Sequence, residues 1–244
     1  MRKEGIHMAV NNTLVKKQTT DTAITFTAGN DTVKLSPAII KKYLVSGDAN
    51  TVTDQELMMF MMMCKGNHLN PWNREAYCIK YGTQPATMVI GKDAFMKRAS
   101  GSPEYDGMTS GIVVLNCETG EIEYRTGTIV IDDQEKIIGG WAEVFRKDRT
   151  HSTRIEVSFN EYAGRKKDGS LNNQWATKPA TMIRKVAQVQ ALREAFPESL
   201  SNLYTSEEQG VDEPTGAVIE QPSEVTAEPV KQPTVNPDND ESLF

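Results

Sequence analysis

The pattern of hydrophobic and polar residues predicts two helices near the start of the chain. In residues 36–47, SPAIIKKYLVSG, a Ser-Pro pair starts a helix and Gly47 follows its end. Residues 53–66, TDQELMMFMMMCKG, begin with a capping box formed by Thr53 and Glu56. Apolar residues go all the way round this second helix, which indicates burial in a core or between subunits. The methionines that suit an irregular subunit contact are Met58, Met59, Met61 and Met62.

Strands dominate the middle of the chain. Residues 75–81 and 86–91 predict two strands around a GTQP turn, and residues 92–100, KDAFMKRAS, predict a short helix. Four further strands are predicted between residues 111 and 159, separated by the turn sequences CETG, DDQEK and KDRTH. Because such short connections join neighbouring antiparallel strands, the pattern predicts an antiparallel meander.

One long helix is predicted after the strands. It covers residues 175–196, with Pro179 in its opening turn and Pro197 at its end. N-terminal helices, a meander and a long C-terminal helix together indicate an α+β fold. We expect three regions: a mobile N-terminal arm at 1–32, a folded core at 33–205 and a disordered acidic tail at 206–244.

Charge is distributed unevenly along the 244 residues. The net charge of the whole chain is −6, but residues 206–244 hold ten acidic side chains and one basic side chain, Lys231. Between Arg165 and Arg193, by contrast, seven basic residues accompany one acidic residue, Asp168. An acidic tail on a body with a basic stretch is typical of polyanion-binding proteins, although a solvated tail beside a solvated face gives the same pattern.

The composition favours a reducing cytoplasm. The longest apolar run, LMMFMMMC at 57–64, is too short to span a bilayer, and the N-terminal stretch lacks the apolar region of a secretory signal. The three cysteines, Cys64, Cys78 and Cys117, are scattered and form no C-x-x-C motif. We therefore expect no membrane association, no disulfide framework and no zinc knuckle.

The sequence lacks the residue patterns typical of an enzyme. It has no GxxxxGK[ST] motif for ATP phosphates and no GxGxxG motif. Cys64 and His68 are four residues apart, but two ligands do not make a zinc site. The carboxylates at 121–123 and 132–133 could serve a metal-dependent nuclease, yet nothing distinguishes them from solvated turns. We expect no catalytic residue, no bound metal and no ATP, with a nuclease as the alternative.

Lys185 and Arg193 fall on the side of the long helix that should be apolar, among Met182, Val186, Val189 and Leu192. A charge inside an apolar stripe is costly unless it is paired or reaches solvent. In one interpretation, the two side chains pair with a core carboxylate or extend to the rim. In the other, the stripe borders a groove and the charges project toward phosphates. The opposite side of the helix carries Ala187, Ala191 and Ala195, which let another surface approach closely.

The neighbouring residues favour a nucleic-acid groove. Arg165, Lys166 and Lys167 lie in a glycine-flanked loop just before the helix. Trp175 can stack on a base or cap the core, and Gln188 can form hydrogen bonds without selecting for charge. Basic residues beside an aromatic ring are what a sequence-tolerant single-strand groove needs.

Four stretches of the sequence are recognisable together. CKGNHLNPWNREAYCIKY, EYDGM, FRKDRTH and WATKPATMIRKVAQVQALREAF with a following LY resemble, in this order, the RecT/Redβ family of phage single-strand annealing proteins. The resemblance is greatest to RecT of Gram-positive prophages and runs from about Thr53 to about Glu208. It implies binding of single-stranded DNA, assembly into rings or helical filaments, and annealing of complementary strands without ATP in phage recombination. A structural phage protein is the remaining alternative.

The resemblance also implies partners and site residues. The partners are single-stranded DNA, the annealed duplex, further copies of the chain and a phage 5′→3′ exonuclease in the bacterial cytoplasm. No cofactor is implied, and magnesium is compatible with the activity. The basic pattern and the family's basic positions together place the DNA contact on Arg146, Lys147, Arg149, Arg165, Lys166, Lys167, Trp175, Lys178, Arg184, Lys185, Gln188 and Arg193.

The end of the acidic tail differs from the rest of it. Residues 238–244, DNDESLF, place two apolar side chains after a run of acidic ones. This pattern fits a frayed terminus, or a docking tip for a basic pocket with an apolar floor. It resembles in character the tip of bacterial single-strand-binding protein, so the host protein of that kind is a further expected partner. The tail could also compete with DNA for the chain's own groove.

Overall fold

The computed structural model describes residues 23–131 and 133–210. The α+β prediction is confirmed at the level of a mixed fold with several antiparallel sheets and helices. The described strands form a two-stranded hairpin, a three-stranded sheet and a four-stranded sheet. None of the helices in these two ranges is long and apolar enough to cross a membrane.

The folded part begins earlier than the boundary predicted at residue 33. Strands β1 (Ile24–Ala28) and β2 (Asp31–Leu35) pair as an antiparallel hairpin. The alternate residues that face the core are Phe26, Ala28, Val33 and Leu35. Because strand residues alternate between faces, this period-two pattern is visible in the sequence of the expected arm. Residues 1–22 lie outside the described residues.

The first predicted helix is much shorter than expected. Ser36 caps α1 (Pro37–Ile39) by accepting a hydrogen bond from the Ile39 amide at 3.3 Å. A π-helical turn, Ile40–Leu44, follows, and the chain then enters strand β3 (Val45–Gly47). The chain leaves the helix here because β3 pairs in parallel with a later strand, which satisfies its backbone groups in a sheet.

The second predicted helix is confirmed as α2 (Asp54–Gly66), with the capping box of Thr53 and Glu56 present. The carboxylate of Glu56 also forms an ion pair with Lys80, with 2.8 Å between Oε1 and the ammonium nitrogen. This ion pair and the backbone donors around it lower the pKa of Glu56 to about 2. Four methionines were predicted to form a subunit contact. The prediction is wrong for Met61, because its side chain is buried within the core of the same chain. Met58, Met59 and Met62 are exposed.

The three-stranded sheet has the order β3-β4-β5 and confirms the next two predicted strands. Helix α3 follows it at the predicted position and buries Phe95. Two 3₁₀ turns, Ala49–Thr51 and Pro71–Asn73, connect these elements. The bounds are β4 (Ala76–Lys80), β5 (Thr87–Ile90) and α3 (Lys92–Ser100).

The four-stranded sheet is antiparallel, but its order is β7-β6-β8-β9 and not that of a meander. In chain order, the first of its strands pairs with the second on one side and with the third on the other side. The two central strands have 12 residues each and bury a continuous apolar face, whereas β7 is short and exposed. The long apolar strands therefore pair with each other and leave β7 at the edge. The bounds are β6 (Tyr105–Asn116), β7 (Ile122–Thr126), β8 (Glu135–Arg146) and β9 (Thr153–Ser158).

The long helix α6 (Pro179–Ala195) begins at the predicted proline and ends two residues before Pro197. The first residues of the predicted range, 175–177, belong to a separate short helix, because Pro179 starts a new one. It packs on β8, β9 and β6, and against α3. The alanine side of α6 is fully buried, which confirms that another surface approaches it closely. At Gly140 of β8, an added Cβ would lie 2.6 Å from the Ile183 carbonyl oxygen. The neighbouring helices are α4 (Phe159–Tyr162), α5 (Asn173–Thr177) and α7 (Pro197–Leu200).

Candidate nucleic-acid interface

Lys185 and Arg193, the two charges in the apolar stripe of α6, are both held by carboxylates. The Lys185 ammonium group lies 2.8 Å from Glu207, whose side chain is 1% exposed. The Arg193 guanidinium group donates to both carboxylate oxygens of Glu208, at 2.5 and 2.6 Å. Glu208 is 7% exposed on its side chain. Of the two interpretations of the stripe, pairing with a core carboxylate is the one that the structure shows.

The segment that supplies these carboxylates is packed against the body of the protein. The carbonyl oxygen of Tyr204 accepts a hydrogen bond from the Ile90 amide at 3.0 Å. Thr205 and Ser206 are buried, and the Arg193 guanidinium group lies 4.7 Å from the centre of the Tyr204 ring. Residues 206–210, the first of the predicted acidic tail, therefore belong to the fold. Residues 211–244, including the DNDESLF tip, lie outside the described residues.

The sequence pattern did not reveal Glu207 and Glu208 as the partners of Lys185 and Arg193, because their charge matches that of the tail. A local signal is nevertheless present. Thr205 and Glu208 have the S/T-x-x-E spacing of a capping box, and the Thr205 amide donates to Glu208 at 3.1 Å. This spacing marks an ordered turn before the low-complexity region.

Trp175 is 2% exposed. Its ring makes an edge contact with Phe159 at a centroid distance of 5.6 Å. Gly164 packs against it so closely that an added Cβ would lie 3.0 Å from the indole. Of the two roles left open for this ring, capping the core is therefore the one that the structure shows. In this placement no face of the ring is open to a nucleotide.

Arg184 and Gln188 face the four-stranded sheet. The Ser110 hydroxyl oxygen on β6 accepts hydrogen bonds from the Arg184 guanidinium at 2.9 Å and from the Gln188 amide at 2.7 Å. Gln188 is buried, while Arg184 is partly exposed. Their shared partner ties α6 to the sheet, and Arg184 is the one of the two that keeps a partly exposed side chain.

Arg146 supports the end of α6. Its guanidinium group donates to the carbonyl oxygen of Ala195 at 2.5 Å and lies 4.6 Å from the centre of the Phe196 ring. Asp148 pairs with it at 2.6 Å, and that hydrogen bond raises the pKa of Arg146. A cation at a helix C-terminus is stabilised by the exposed carbonyls there. The structure thus shows Arg146 in a bracing contact within the chain.

Six predicted basic residues are exposed and form no ion pair within the described part of the chain. Lys147 and Arg149 lie in the β8–β9 turn, near the end of α6. The loop before α6 is closed by a bridge between Arg165 and Leu171, and Arg165 donates to the Gly169 carbonyl oxygen at 3.1 Å. The exposed residues at this other end of the helix are Arg165, Lys166, Lys167 and Lys178.

The structure therefore separates the predicted DNA contacts into two groups. One lies before the first residue of α6 and the other beside its last turn. Two separate groups of exposed basic side chains fit an extended polyanion better than a small ligand.

Of the carboxylates considered for a metal-dependent nuclease, Glu123 is paired with a cation of the chain itself. Arg125 pairs with Glu123 at 2.6 Å and with Glu135 at 2.7 Å. Hydrogen bonds from Arg125 lower the pKa of Glu135. Within residues 23–131 and 133–210, no group of three or more His, Cys, Asp and Glu side chains is placed to hold a metal ion. Asp132 lies outside the described residues.

Cys64 and His68, the other pair considered for a metal, do not act together. Burial raises the pKa of the Cys64 thiol and raises that of Cys78 to about 11. His68 instead forms a hydrogen bond at 2.9 Å between Nδ1 and the carbonyl oxygen of Thr27. Its ring thus links α2 to the N-terminal hairpin.

Comparison with known proteins gives two findings. The model of the RecT family matches residues 31–225, which include nearly all of the described elements. An uncharacterized protein of Ureaplasma parvum serovar 3, UU154, is 24% identical over 186 residues. The aligned region covers 75% of this chain and 74% of that protein.

Proposed function

Because this chain belongs to the RecT family, we propose that it anneals complementary DNA strands on its exposed basic residues without using ATP. Membership in the family implies single-stranded DNA annealing in recombination. The observation that carries the finer proposal is the set of exposed basic residues at both ends of α6, which form no ion pair within the described ranges. The best supported of them are Arg165, Lys166, Lys167 and Lys178.

The proposed mechanism follows from the charges. Two DNA strands repel each other, and lysine and arginine side chains offset this repulsion while releasing counterions. Contacts to the phosphates position a strand without reading its sequence, so the base edges stay free to pair. Base pairing itself then selects the complementary strand. With Trp175 buried, the proposal assigns the contact to the phosphate backbone rather than to stacking.

Assembly is part of the proposal. We infer that copies of the chain join as a ring or a filament, so that many nucleotides are aligned at once. Family membership supports oligomerisation in general. The exposed side chains of Met58, Met59 and Met62 form an apolar face on α2, which suits a subunit contact.

The remaining partners are proposed from the family resemblance. They are a phage 5′→3′ exonuclease that exposes the strand, and the host single-strand-binding protein, which the tail would contact. The site of action is the bacterial cytoplasm. Magnesium is compatible with annealing, because a divalent ion also reduces the repulsion between strands.

The test is annealing of two complementary labelled oligonucleotides without ATP at two salt concentrations. We expect acceleration well above the spontaneous rate, weaker at the higher salt concentration. Replacing Lys166 and Lys167 together by glutamine should slow annealing and reduce the salt dependence of binding to single strands, by a slope of about 0.7 for each phosphate that is no longer neutralised. Unchanged annealing in this variant would remove the loop from the site.

The matched control is Lys34→Gln with Lys41→Gln. Both side chains are exposed, and both belong to the N-terminal elements, away from α6. This variant has the same change in net charge and should anneal like the wild type. If the wild type does not accelerate annealing and leaves the DNA intact, the proposed function is wrong. Degradation of the DNA with a divalent metal, abolished by EDTA, would favour the nuclease instead.

A further inference from the structure

The loop before α6 contains the one acidic residue of the basic stretch between Arg165 and Arg193. Asp168 directly follows Lys166 and Lys167, and all three side chains are exposed. A negative charge at this place opposes the binding of a polyanion, because it cancels part of the attraction that the two lysines exert. A contribution of Asp168 to DNA binding would therefore have to come from its hydrogen bonds and not from its charge.

The side chain of Asp168 closes the tip of this loop. Its Oδ1 atom accepts two hydrogen bonds from Ser170, one from the backbone amide at 2.9 Å and one from the hydroxyl group at 2.6 Å. The hydroxyl bond is the main reason that the pKa of Asp168 lies below its usual value. An aspartate that binds the backbone two residues ahead stabilises a turn.

The backbone of the same loop forms a small closed hairpin. Across its tip, the Gly169 amide donates to the Lys166 carbonyl oxygen at 3.0 Å. The Lys166 amide in turn donates to the Ser170 carbonyl oxygen at 2.8 Å, and Arg165 and Leu171 form the bridge that follows. Gly169 has a φ of +84°, which glycine adopts without strain. The two lysines of the loop therefore belong to an ordered turn.

The base of this hairpin is fixed to the body of the protein. The Asn172 amide donates to the Gly164 carbonyl oxygen at 2.9 Å. Gly164 is buried, and a Cβ added to it would lie 2.5 Å from the side chain of Asn172. Trp175, whose ring packs beside Gly164, is buried as well. Buried residues thus determine where the hairpin is attached, and Asp168 determines the shape of its tip.

We propose that Asp168 is a positioning residue for DNA binding: its carboxylate holds the tip of the hairpin, so that Lys166 and Lys167 are already ordered when phosphates arrive. This rests on the proposed function, since it says how two lysines of the proposed site are held in place. Ordering a flexible loop during binding costs conformational entropy and lowers the affinity. A loop that is ordered in advance avoids this cost.

Two substitutions of Asp168 separate its hydrogen bonds from its charge. Asp168→Asn and Asp168→Ala both remove the negative charge, but only the first keeps a side-chain oxygen that can accept from Ser170. Fluorescence anisotropy with a labelled single-stranded oligothymidine measures the affinity at several salt concentrations. We expect Asp168→Asn to bind at least as tightly as the wild type, because a repulsive charge is gone. Asp168→Ala should bind about three- to tenfold more weakly than Asp168→Asn, the usual effect of a lost hydrogen bond.

The salt dependence shows whether the lysines still reach phosphates. Both lysines remain in Asp168→Ala, so the slope of log affinity against log salt concentration should equal that of Asp168→Asn, while the affinity is lower throughout. Gly169→Ala strains the same turn through its positive φ and should also weaken binding, with no change in charge. Gly120→Ala in the β6–β7 turn is the matched control and should bind like the wild type. Its φ is +75°, and nothing lies within 4 Å of the added Cβ at either glycine.

Equal affinities of Asp168→Asn and Asp168→Ala would overturn the inference, because charge alone would then account for the effect of Asp168. A smaller salt slope in Asp168→Ala than in Asp168→Asn would also overturn it, since phosphate contacts would then be lost outright. Circular dichroism and mass spectrometry confirm that the variants are folded and that the Asn-Gly pair of Asp168→Asn has not deamidated.

The variant with Lys166→Gln and Lys167→Gln distinguishes this failure from a failure of the proposed function. If it binds single strands like the wild type, the loop does not belong to the site and both proposals are wrong about it. If it binds more weakly while the two Asp168 variants bind equally, only the inference about Asp168 is wrong.

Discussion

At the scale of single residues, Arg193 shows what a charge needs in order to lie inside an apolar stripe. Its guanidinium group is bound by both oxygens of Glu208 and lies over the Tyr204 ring. The Nε atom is buried and has no hydrogen-bond partner among the described residues. Both members of the pair are largely buried, so removing either one leaves the other as an uncompensated charge.

Arg193→Ala and Glu208→Ala should each lower the free energy of unfolding by about 3–5 kcal/mol, the usual cost of breaking a buried pair. The double variant should be destabilised by less than the sum of the two single effects, since no charge is then left alone. Urea unfolding of the four proteins measures this. Arg149→Ala, at an exposed arginine without an ion pair among the described residues, is the control and should change stability by less than about 0.5 kcal/mol. Additive effects would mean that Arg193 is not held by Glu208.

At the scale of elements, α6 approaches the four-stranded sheet closely at Gly140, because glycine has no side chain to separate the helix from the strand. Gly140 of β8 lies directly against the helix backbone at Ile183. The alanines of α6 are buried, and α6 packs on β8. The exposed basic residues flank the two ends of α6. The distance between α6 and the sheet therefore also affects the position of these residues relative to the sheet.

Gly140→Ala should therefore destabilise the fold by about 1–3 kcal/mol, the typical cost of overpacking a core. The added methyl group would meet the Ile183 carbonyl oxygen, which is backbone and cannot rotate away. Thermal unfolding measures the effect. Gly66→Ala at the end of α2 is the matched control, because nothing lies within 4 Å of its added Cβ and stability should hardly change. Equal melting temperatures for the two variants would contradict close packing at Gly140.

At the scale of the whole molecule, the folded body includes the first acidic residues after α7. A truncation after Thr205 removes Glu207 and Glu208, and so leaves Lys185 and Arg193 without these carboxylates. A truncation after Gly210 keeps both ion pairs and removes eight acidic residues and one basic residue. These two truncations separate the role of the ordered segment from that of the tail.

We expect the protein that ends at Gly210 to keep the melting temperature of the full chain, and the one that ends at Thr205 to unfold at a lower temperature. If the tail competes with DNA, the protein that ends at Gly210 should also bind single-stranded DNA more tightly than the full chain does, because negative charge has been removed. Calorimetry and fluorescence anisotropy measure the two effects. Unchanged affinity together with abolished recombination in cells would show that the tail docks a partner instead.

Much of the local structure follows from the sequence alone. The capping box of α2 and the prolines that bound α6 are readable because caps and proline act within a few residues. The period-two pattern of the N-terminal hairpin is equally local, although the polar composition around it obscures it. The family is also recognisable from the sequence, because its four characteristic stretches occur along one chain.

Only the tertiary structure decided which charges are free. Arg193 and Glu208 are 15 residues apart, and Arg184 and Ser110 are 74 apart, so no periodicity along the helix could reveal these pairs. The same holds for the order of the four-stranded sheet and the burial of Met61, which depend on which apolar surfaces meet. Sequence pattern determines where helices and strands begin and end, since those signals are short-range. The partner of a buried charge is determined by the fold, because a lone charge in the core is too costly to remain unpaired.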